Sequence, residues 1–306
     1  MILPLLLNKN MKKKTIGLLV LLTTYIIAAF IGVGVFLLLE KHTHYLLAIL
    51  IADASATVFV WLIGVIFKTA SMYDPYWSVQ SFIIFLSLMI KFNSFNPSNI
   101  IILFALGIYT IRLTGNFIIG FGNLQYIDWR YRMLKEKSGA FFQLINFLGI
   151  MLFPTLVVYS MTIPLIIMSY TEIHLSLSII FSILMLLMVG LELISDTQMK
   201  SFIKKRSDRS EVNTNGLWKY SRHPNYLGEI SFWFMIAIPL IIFDISYWWV
   251  IFGPIINLLM FLFISIPMEE KHFKDYKPEY ELYKKKVSML LILPNKKSKN
   301  EKEDIG

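Results

Sequence analysis

The segment from residue 216 to residue 229 concentrates side chains that suit a bound nucleotide. It reads Gly-Leu-Trp-Lys-Tyr-Ser-Arg-His-Pro-Asn-Tyr-Leu-Gly-Glu. Arginine and lysine bind phosphate groups, asparagine and glutamate bind ribose or amide edges, and aromatic rings stack on bases. A belt of aromatic and basic residues at a membrane interface is the alternative, but a belt does not require asparagine, histidine and glutamate in one cluster. The segment predicts cofactor-binding roles for Trp218, Tyr220, Arg222, His223, Asn225, Tyr226 and Glu229.

Three ionisable residues precede this segment at helical spacing. Glu192, Asp196 and Lys200 are four residues apart, so in a helix they lie on one face. A ladder of salt bridges at a helix end is the structural alternative, and in solvent each such pair stabilises a helix by only roughly 0.3 kcal/mol. We expect all three residues to belong to the cofactor site.

Arg112 is an ionisable residue inside a long apolar run. A charge at membrane depth costs about 2.5 kcal/mol or more, so such a residue normally faces a partner or a cavity. Tyr109, Arg112 and Asn116 recur at steps of three and four and therefore share one helical face. An ion pair with an acid is the alternative, but the pattern favours a ligand, and it predicts cofactor binding by Arg112 and Asn116. Asp53, near one end of another run, is interpreted as a helix-packing carboxylate.

The composition identifies the solvent around these residues. The chain has 306 residues, of which 56% are hydrophobic and only 16% are charged. A soluble fold of this length cannot bury so much apolar surface, so most of the chain must lie in a lipid bilayer. The absence of cysteine excludes disulfides, thiolate metal sites and cysteine nucleophiles. The scattered histidines lack metal-ligand spacing, so no metal is predicted.

The apolar runs define the expected fold. They cover residues 16–39, 46–67, 79–92, 100–120, 141–168, 173–195, 230–243 and 247–266. Because every backbone polar group must be satisfied inside lipid, runs of this length predict helices. We expect an all-α integral membrane bundle of about seven to eight transmembrane helices with a cytoplasm-facing cofactor cavity. An N-terminal basic segment and extra helix at 1–45 would precede a membrane domain at 46–294, and 295–306 would be a disordered tail.

The net charge of +9 indicates membrane topology rather than nucleic-acid binding. Most basic residues lie in the loops at 68–78, 121–140 and 196–229 and in the C-terminal segment. If the N-terminus is cytoplasmic, all of these segments are cytoplasmic, as the positive-inside rule requires. The predicted location is therefore the bacterial inner membrane or the endoplasmic reticulum, with both termini in the cytoplasm.

These motifs resemble those of a known membrane superfamily. The stretch Tyr-Ser-Arg-His-Pro-Asn-Tyr-Leu-Gly-Glu at 220–229 resembles the nicotinamide-dinucleotide-binding motif of the membrane steroid 5α-reductase and sterol-reductase superfamily. The chain is similar to the DUF1295 branch of that superfamily. This similarity rests on three further stretches: the pattern at 192–202, Asp-Pro-Tyr-Trp at 74–77 and Asp-Trp-Arg-Tyr at 128–131. The resemblance implies a multi-helix membrane fold that holds NADPH in a cytoplasm-facing cavity. It implies that Asp196, Asn225, Tyr226 and Glu229 contact the cofactor, with Lys200 and Arg222 as phosphate partners.

The resemblance also implies a reaction, hydride transfer to a conjugated carbon–carbon double bond of a lipid-soluble, steroid-like or isoprenoid substrate. Hydride addition to an enone places charge on the carbonyl oxygen, so a hydrogen-bond donor must meet it. Tyr73, Asp74 and Tyr76, in the loop expected before the third run, are the predicted catalytic residues, and Tyr109 is a further candidate. A turn cap at Asp74 and an interface anchor at Tyr76 are the alternatives. The substrate is expected to enter laterally, into a cavity bounded by this loop and by the helix that carries Arg112.

A second family competes with this interpretation. Arg-His-Pro-x-Tyr-x-Gly at 222–228, the pair Glu269-Glu270 and the stretch at 279–287 also resemble the membrane isoprenylcysteine and phospholipid methyltransferases, which use S-adenosylmethionine. The pattern at 196–202 and the pair Asn225 and Glu229 favour the reductase. A non-catalytic scaffold or transporter is a third class, which the absence of an internal repeat disfavours.

The C-terminal piece after residue 270 is polar and basic, and it ends in the apolar stretch Leu-Leu-Ile-Leu-Pro at 290–294. This composition predicts a lid over the cofactor rather than another membrane span. Tyr283 of this piece is assigned to the cofactor site.

Overall fold

The structure is a computed structural model that describes residues 2–125 and 127–295, with side chains from residue 12 onward. Its described residues form helices and connecting turns, and they contain no strand. The chain divides into two compact units, of which the first ends at Leu175 and the second begins at Ser176. Of the predicted tail at 295–306, all but Asn295 lies outside the described residues.

The first unit has seven α-helices in the described part of the chain. They are α1 (Ile2–Leu39), α2 (Tyr45–Ile66), α3 (Tyr76–Phe92), α4 (Pro97–Gly120), α5 (Trp129–Ser138), α6 (Phe142–Ile145) and α7 (Phe153–Met168). A 3₁₀ turn (Gly139–Phe141) joins α5 to α6, and a π-helical turn (Asn146–Leu152) joins α6 to α7. The three helices therefore follow one another as a single helical stretch, Trp129–Met168.

Up to residue 295, where the description ends, the second unit has five α-helices, the first of which begins at the unit boundary. They are α8 (Leu175–Lys205), α9 (Pro224–Phe243), α10 (Phe252–Met260), α11 (Ile266–Lys274) and α12 (Tyr280–Lys286). A 3₁₀ turn (Gly216–Lys219) precedes α9, and α10 continues through a π-helical turn (Phe261–Ser265) into α11. α9 begins with Pro224, whose missing N–H is harmless in the first turn of a helix.

Within residues 2–125 and 127–295, seven helical stretches are long and apolar enough to cross a bilayer, and α3 is a shorter apolar helix. Large apolar side chains such as Phe30, Leu38 and Phe104 are exposed on them. Such a surface is unfavourable in water but suits hydrocarbon, and helices satisfy their own backbone polar groups there. The chain is therefore an integral membrane protein, and the prediction of an all-α fold with seven to eight membrane helices is confirmed.

Several helices are longer than the predicted apolar runs. α3 begins at Tyr76 rather than at residue 79, so Tyr76 is a helical residue and not a loop residue. α8 continues to Lys205, and the predicted loop at 121–140 contains α5. An apolar run marks only the part of a helix that meets hydrocarbon, whereas backbone hydrogen bonding continues the helix through polar residues.

Hydrogen bonds between buried hydroxyl groups connect α7 to α2 and α3. The hydroxyl oxygens of Thr57 and Thr155 are 2.9 Å apart, and those of Ser81 and Thr162 are 2.6 Å apart. Interhelical hydrogen bonds in lipid contribute about 0.6 kcal/mol each. Their larger effect here is positional, because they set the register in which α2 and α3 present their polar residues.

Gly228 allows α8 and α9 to cross at short distance. A Cβ atom on Gly228 would lie 2.6 Å from Glu192 Cγ and 2.8 Å from the carbonyl oxygen of Met188. No side chain fits in this space, so glycine is required at the crossing. The crossing places the Glu192 turn of α8 beside the first turns of α9.

Candidate functional site

An amide and a carboxylate connect α8 to α9 in the second unit. Asn225, in the first turn of α9, donates a hydrogen bond through Nδ2 to Asp196 Oδ1 at 3.4 Å. Because an ionised carboxylate only accepts hydrogen bonds, it orients the amide with Nδ2 toward Asp196. The remaining atom, Asn225 Oδ1, is buried and accepts no hydrogen bond from a described residue. The pair therefore offers a bound molecule one available acceptor beside a carboxylate.

Glu192 and Glu229 are buried near the Gly228 crossing. Glu229 Oε1 accepts a hydrogen bond from Trp233 Nε1 at 2.9 Å. Lys200, further along α8, is exposed, as are Lys204 and Lys205 at the end of that helix. The predicted polar face of α8 thus begins with a buried carboxylate and ends with exposed ammonium groups.

Arg222 forms a buried ion pair with Glu270 of α11. Its Nη1 lies 2.6 Å from Glu270 Oε1, and the two side chains are 5% and 6% exposed. Lys284 of α12 lies 2.7 Å from the other carboxylate oxygen of Glu270. Removal of one partner of a buried ion pair costs about 3–5 kcal/mol, so Arg222 has a structural role beside any role at a phosphate. Its Nε is buried and has no hydrogen-bond partner among the described residues.

His223 and Tyr226 converge on the neighbouring glutamate of α11. Their rings are parallel, with centroids 5.2 Å apart and an interplanar angle of 4°. Tyr226 donates a hydrogen bond to Glu269 Oε2 at 2.7 Å, and His223 Nδ1 lies 3.6 Å from the same oxygen. His223 Nε2 lies 3.3 Å from Glu270 Oε1. The Arg-His-Pro-x-Tyr motif and the Glu-Glu pair, far apart in sequence, therefore form one cluster.

Helix α12 packs against the 3₁₀ turn that precedes α9. Tyr283 donates a hydrogen bond to the Trp218 carbonyl oxygen at 2.5 Å, and Trp218 Nε1 donates to the Ser195 carbonyl oxygen at 3.0 Å. Burial raises the pKa of Tyr283 well above its usual value, so the phenol keeps its proton and remains a donor. Tyr220 is exposed. The C-terminal piece thus covers this turn, and its role as a lid over a cofactor stays a prediction.

The first unit contains a cavity between α1, α2 and α3. Its volume is 80 Å³, and its wall combines small apolar side chains with the polar residues Asp53, Tyr76 and Gln80. Tyr76 donates a hydrogen bond to Asp53 Oδ1 at 3.3 Å, and Gln80 Nε2 donates to Asp53 Oδ2 at 2.6 Å. This cavity therefore presents a carboxyl–phenol pair and the Gln80 amide within a mainly apolar wall.

A larger groove adjoins this cavity and shares lining residues of α1 and α3 with it, among them Tyr25 and Val79. Its volume is 590 Å³, and apart from Tyr25 and Thr114 its lining residues are apolar. The groove extends to α4 through residues such as Thr114 and Phe117. Arg112 and Asn116, predicted to bind the cofactor, are half-buried residues of α4 that line neither cavity.

Of the three predicted catalytic residues, Tyr76 lines the cavity and the other two do not. The Tyr73 hydroxyl lies 2.8 Å from Thr155 Oγ1, and Asp74 accepts a hydrogen bond from the Tyr131 hydroxyl at 2.5 Å. From sequence, Asp53 is interpreted as a packing carboxylate, and Gln80 is not among the predicted site residues. The sequence contains one signal that could have identified Gln80. Tyr76 and Gln80 are four residues apart, so they lie on the same face of α3.

Asp74 leads to a prediction about pH. Burial raises the pKa of Asp74 to about 6, and the hydrogen bond from Tyr131 opposes this shift. The folded state binds the Asp74 proton more tightly than the unfolded state, so protonation of Asp74 raises the free energy of unfolding. This contribution is fully present below the unfolded pKa and is lost as pH rises through about 6. We expect Asp74→Asn to raise the melting temperature at pH 8 and to change it little at pH 4.

Thermal unfolding in detergent at both pH values measures this difference. Asp208→Asn, which replaces an exposed carboxylate, is the control. Equal effects of Asp74→Asn at the two pH values would contradict it.

Comparison with known proteins gives one match. No curated protein and no solved structure matches the chain. Residues 60–287 match the family described as "Protein of unknown function (DUF1295)". The match begins within α2, so it leaves α1 and Asp53 outside and includes the polar cluster of the second unit. Membership of the superfamily that the motifs resemble is consistent with this family. Because the matched region covers more than half of the chain, the protein belongs to the DUF1295 family.

Proposed function

We propose that the protein is an NADPH-dependent membrane reductase that transfers a hydride to a conjugated carbon–carbon double bond of a lipid-soluble, steroid-like or isoprenoid molecule. The hydrogen bond from Asn225 to Asp196 is the observation that carries this proposal. It joins the segments 192–202 and 220–229, on which the resemblance to reductases depends, into one polar site. The second unit is therefore the proposed cofactor site.

The polar residues of the second unit fit a nicotinamide dinucleotide. Asn225 Oδ1 can accept from the N–H of a carboxamide or a ring amine, and no described residue donates to it. Asp196 beside it can accept from a ribose hydroxyl. Lys204 and Lys205 supply positive charge at the end of α8, and the buried Arg222 Nε is a further donor toward an anion.

The cavity of the first unit fits the substrate. A nicotinamide dinucleotide, when bound, would supply the hydride. An enone that accepts a hydride develops negative charge on its carbonyl oxygen. Tyr76 can donate its O–H to that oxygen. A proton on Asp53 would let the carboxyl donate in turn to the Tyr76 oxygen, while Gln80 holds the carboxyl in place. The α-carbon of the substrate takes the balancing proton, and the adjoining apolar groove accommodates the rest of a lipid-soluble molecule.

We further propose that both termini are cytoplasmic, in the bacterial inner membrane or the endoplasmic reticulum. The basic residues of the loops at 68–78, 121–140 and 196–229 support this orientation. Hydride transfer from a cytoplasmic dinucleotide requires the polar cluster of the second unit to face the cytoplasm.

A methyltransferase that uses S-adenosylmethionine is the second candidate, and one observation favours it. Glu269 accepts from Tyr226, which stacks on His223, so an acid lies beside two parallel rings. A sulfonium cation binds well to acids and aromatic faces. The phosphate groups of NADPH need cations instead, so the two cofactors make opposite demands on the charge of the site.

Direct titration of the purified protein separates these functions. We expect NADPH to bind about tenfold or more tightly than NADH, because charge-assisted hydrogen bonds to a 2′-phosphate contribute about 1.5–3 kcal/mol. Isothermal calorimetry with NADPH, NADH and S-adenosylmethionine measures the three affinities. The double variant Lys204→Ala/Lys205→Ala should reduce the ratio between NADPH and NADH affinities and leave NADH binding unchanged. Micromolar binding of S-adenosylmethionine without binding of either dinucleotide would replace the reductase with the methyltransferase.

A further inference from the structure

Another cavity of the first unit has a basic lining. Its volume is 360 Å³, and it lies between the end of α2, the turn after α2, and the helices α5 and α6. Its polar lining residues are Lys68, Thr69, Lys135, Gln143 and Asn146. None of its lining residues is acidic, and neither lysine forms an ion pair with a described residue. Two ammonium groups on one cavity repel each other, so the cavity suits an anion.

Lys68, which lines this cavity, has a strained backbone conformation. Its φ is +56°, in the left-handed region, which costs a residue with a side chain about 1–2 kcal/mol. The turn requires this conformation, because the Thr69 N–H bonds back to the Gly64 carbonyl oxygen at 2.9 Å. Glycine or asparagine is the usual residue at such a position after a helix. The negative end of α2 favours a cation here, and Lys135 likewise lies in the last turn of α5, with its Nζ 5.8 Å from the centroid of the Phe142 ring. These separate effects do not explain why both lysines line one cavity.

Asn146 supplies a buried acceptor to the same cavity. Its side chain is 2% exposed, and its Nδ2 donates to Gln143 Oε1 at 3.4 Å. Its Oδ1 is buried and accepts no hydrogen bond from a described residue. Asn146 is also the first residue of the π-helical turn, and such turns in α-helices are frequent at functional sites. A ligand that satisfies this oxygen must carry a hydroxyl or another donor beside its negative charge.

Both lysines of this cavity lie near an end of a helical stretch that is long and apolar enough to cross a bilayer, where lipid headgroups are expected. Lys68 follows the membrane helix that ends at Ile66, and Lys135 is near the start of the membrane stretch Trp129–Met168. The helices that form the cavity also carry exposed apolar side chains, among them Leu62 on α2 and Leu144 on α6. Acyl chains can pack on this surface while a headgroup enters the cavity.

We propose that this cavity binds an anionic phospholipid whose headgroup carries a hydroxyl group, as phosphoglycerol does. The phosphodiester lies between the ammonium groups of Lys68 and Lys135, and a headgroup hydroxyl donates to Asn146 Oδ1. The lipid bridges α2 and α5, and it explains why a lysine occupies a turn position that suits glycine. This site is independent of the proposed reductase activity.

Native mass spectrometry of the full chain in detergent tests the site. The probes are dioleoylphosphatidylglycerol, dioleoylphosphatidylcholine and inorganic phosphate, and apparent dissociation constants are measured for each. We expect phosphatidylglycerol to bind with preference, and Lys68→Gly and Lys135→Gln each to weaken it about fivefold, since a basic residue near an anionic membrane contributes about 1 kcal/mol. Lys137→Gln, an exposed lysine of α5 that does not line the cavity, is the matched control and should bind normally.

Lys68→Gly also removes the strained side chain, so its melting temperature without added lipid should equal or exceed that of the unchanged protein. Loss of lipid binding with a retained fold is therefore the expected result for this variant. Equal binding of phosphatidylcholine, or an unchanged affinity for phosphatidylglycerol in both cavity variants, would overturn the proposal. Binding of inorganic phosphate as tightly as the lipid would overturn the assignment to a phospholipid and indicate a soluble anion.

Discussion

Tyr76→Phe is expected to lower kcat for a conjugated steroid or isoprenoid ketone by about 100-fold or more and to leave NADPH affinity within about twofold. The substitution keeps the ring but removes the O–H that would meet the developing charge on the carbonyl oxygen. It also removes the hydrogen bonds of the Tyr76 hydroxyl with Asp53, at 3.3 Å, and with Thr57, but the ring keeps its packing, so the fold should persist. Steady-state oxidation of NADPH measures kcat, and calorimetry measures the affinity.

Two further tyrosine variants make this result specific. Tyr159→Phe removes a hydroxyl that donates to the Leu46 carbonyl oxygen at 2.6 Å and should retain activity. Tyr73→Phe removes a hydroxyl that bonds to Thr155, away from the cavity lining, and should reduce kcat much less than Tyr76→Phe. Equal losses in Tyr73→Phe and Tyr76→Phe, or full activity of Tyr76→Phe, would refute the assignment of Tyr76.

Asn225→Ala is expected to weaken NADPH binding roughly tenfold to hundredfold, because hydrogen bonds that involve charged groups contribute about 1.5–3 kcal/mol. The variant removes the available acceptor Oδ1 and also the donor that orients Asp196. Calorimetry of NADPH binding measures the loss. The melting temperature should change little, because the side chain is half-buried and its hydrogen bond to Asp196 is long, at 3.4 Å.

Asn215→Ala is the matched control for this substitution. Asn215 is an exposed residue of the segment between α8 and α9 and precedes the 3₁₀ turn, so its substitution should leave NADPH affinity unchanged. Normal NADPH affinity in Asn225→Ala would remove the observation on which the reductase proposal depends. Weakened binding of S-adenosylmethionine in this variant, together with no binding of NADPH, would support the methyltransferase instead.

The fold could be predicted because its determinants are local. Long apolar runs predict membrane helices from composition alone, since lipid leaves the backbone no other way to satisfy its polar groups. The limits of these helices were less predictable. Tyr76 was expected in a loop and is the first residue of α3, and α8 extends to Lys205, because polar residues can continue a helix beyond the hydrocarbon.

The candidate cofactor site could be predicted in part. The motif at 220–229 and the spacing of Glu192, Asp196 and Lys200 are visible in the sequence, and the structure pairs Asp196 with Asn225. The partner of Arg222 was not predicted. Glu270 lies in a different helix, and sequence spacing within one element contains no information about which element packs beside it.

By itself, the sequence determined that most of this protein lies in a lipid bilayer and that it is helical. It also contains the DUF1295 motifs and the side chains available for chemistry. Only the tertiary structure decided which of those side chains meet. Asp53 is interpreted as a packing carboxylate because it lies near one end of an apolar run. It becomes part of a cavity because α2 and α3 bring Tyr76 and Gln80 onto it. Lys68 and Lys135 are ordinary loop charges in the sequence, and they share a cavity because α5 and α6 pack at the end of α2. The physical reason is that hydropathy and helical periodicity act along the chain, whereas the partner of a buried polar group is set by the register between helices.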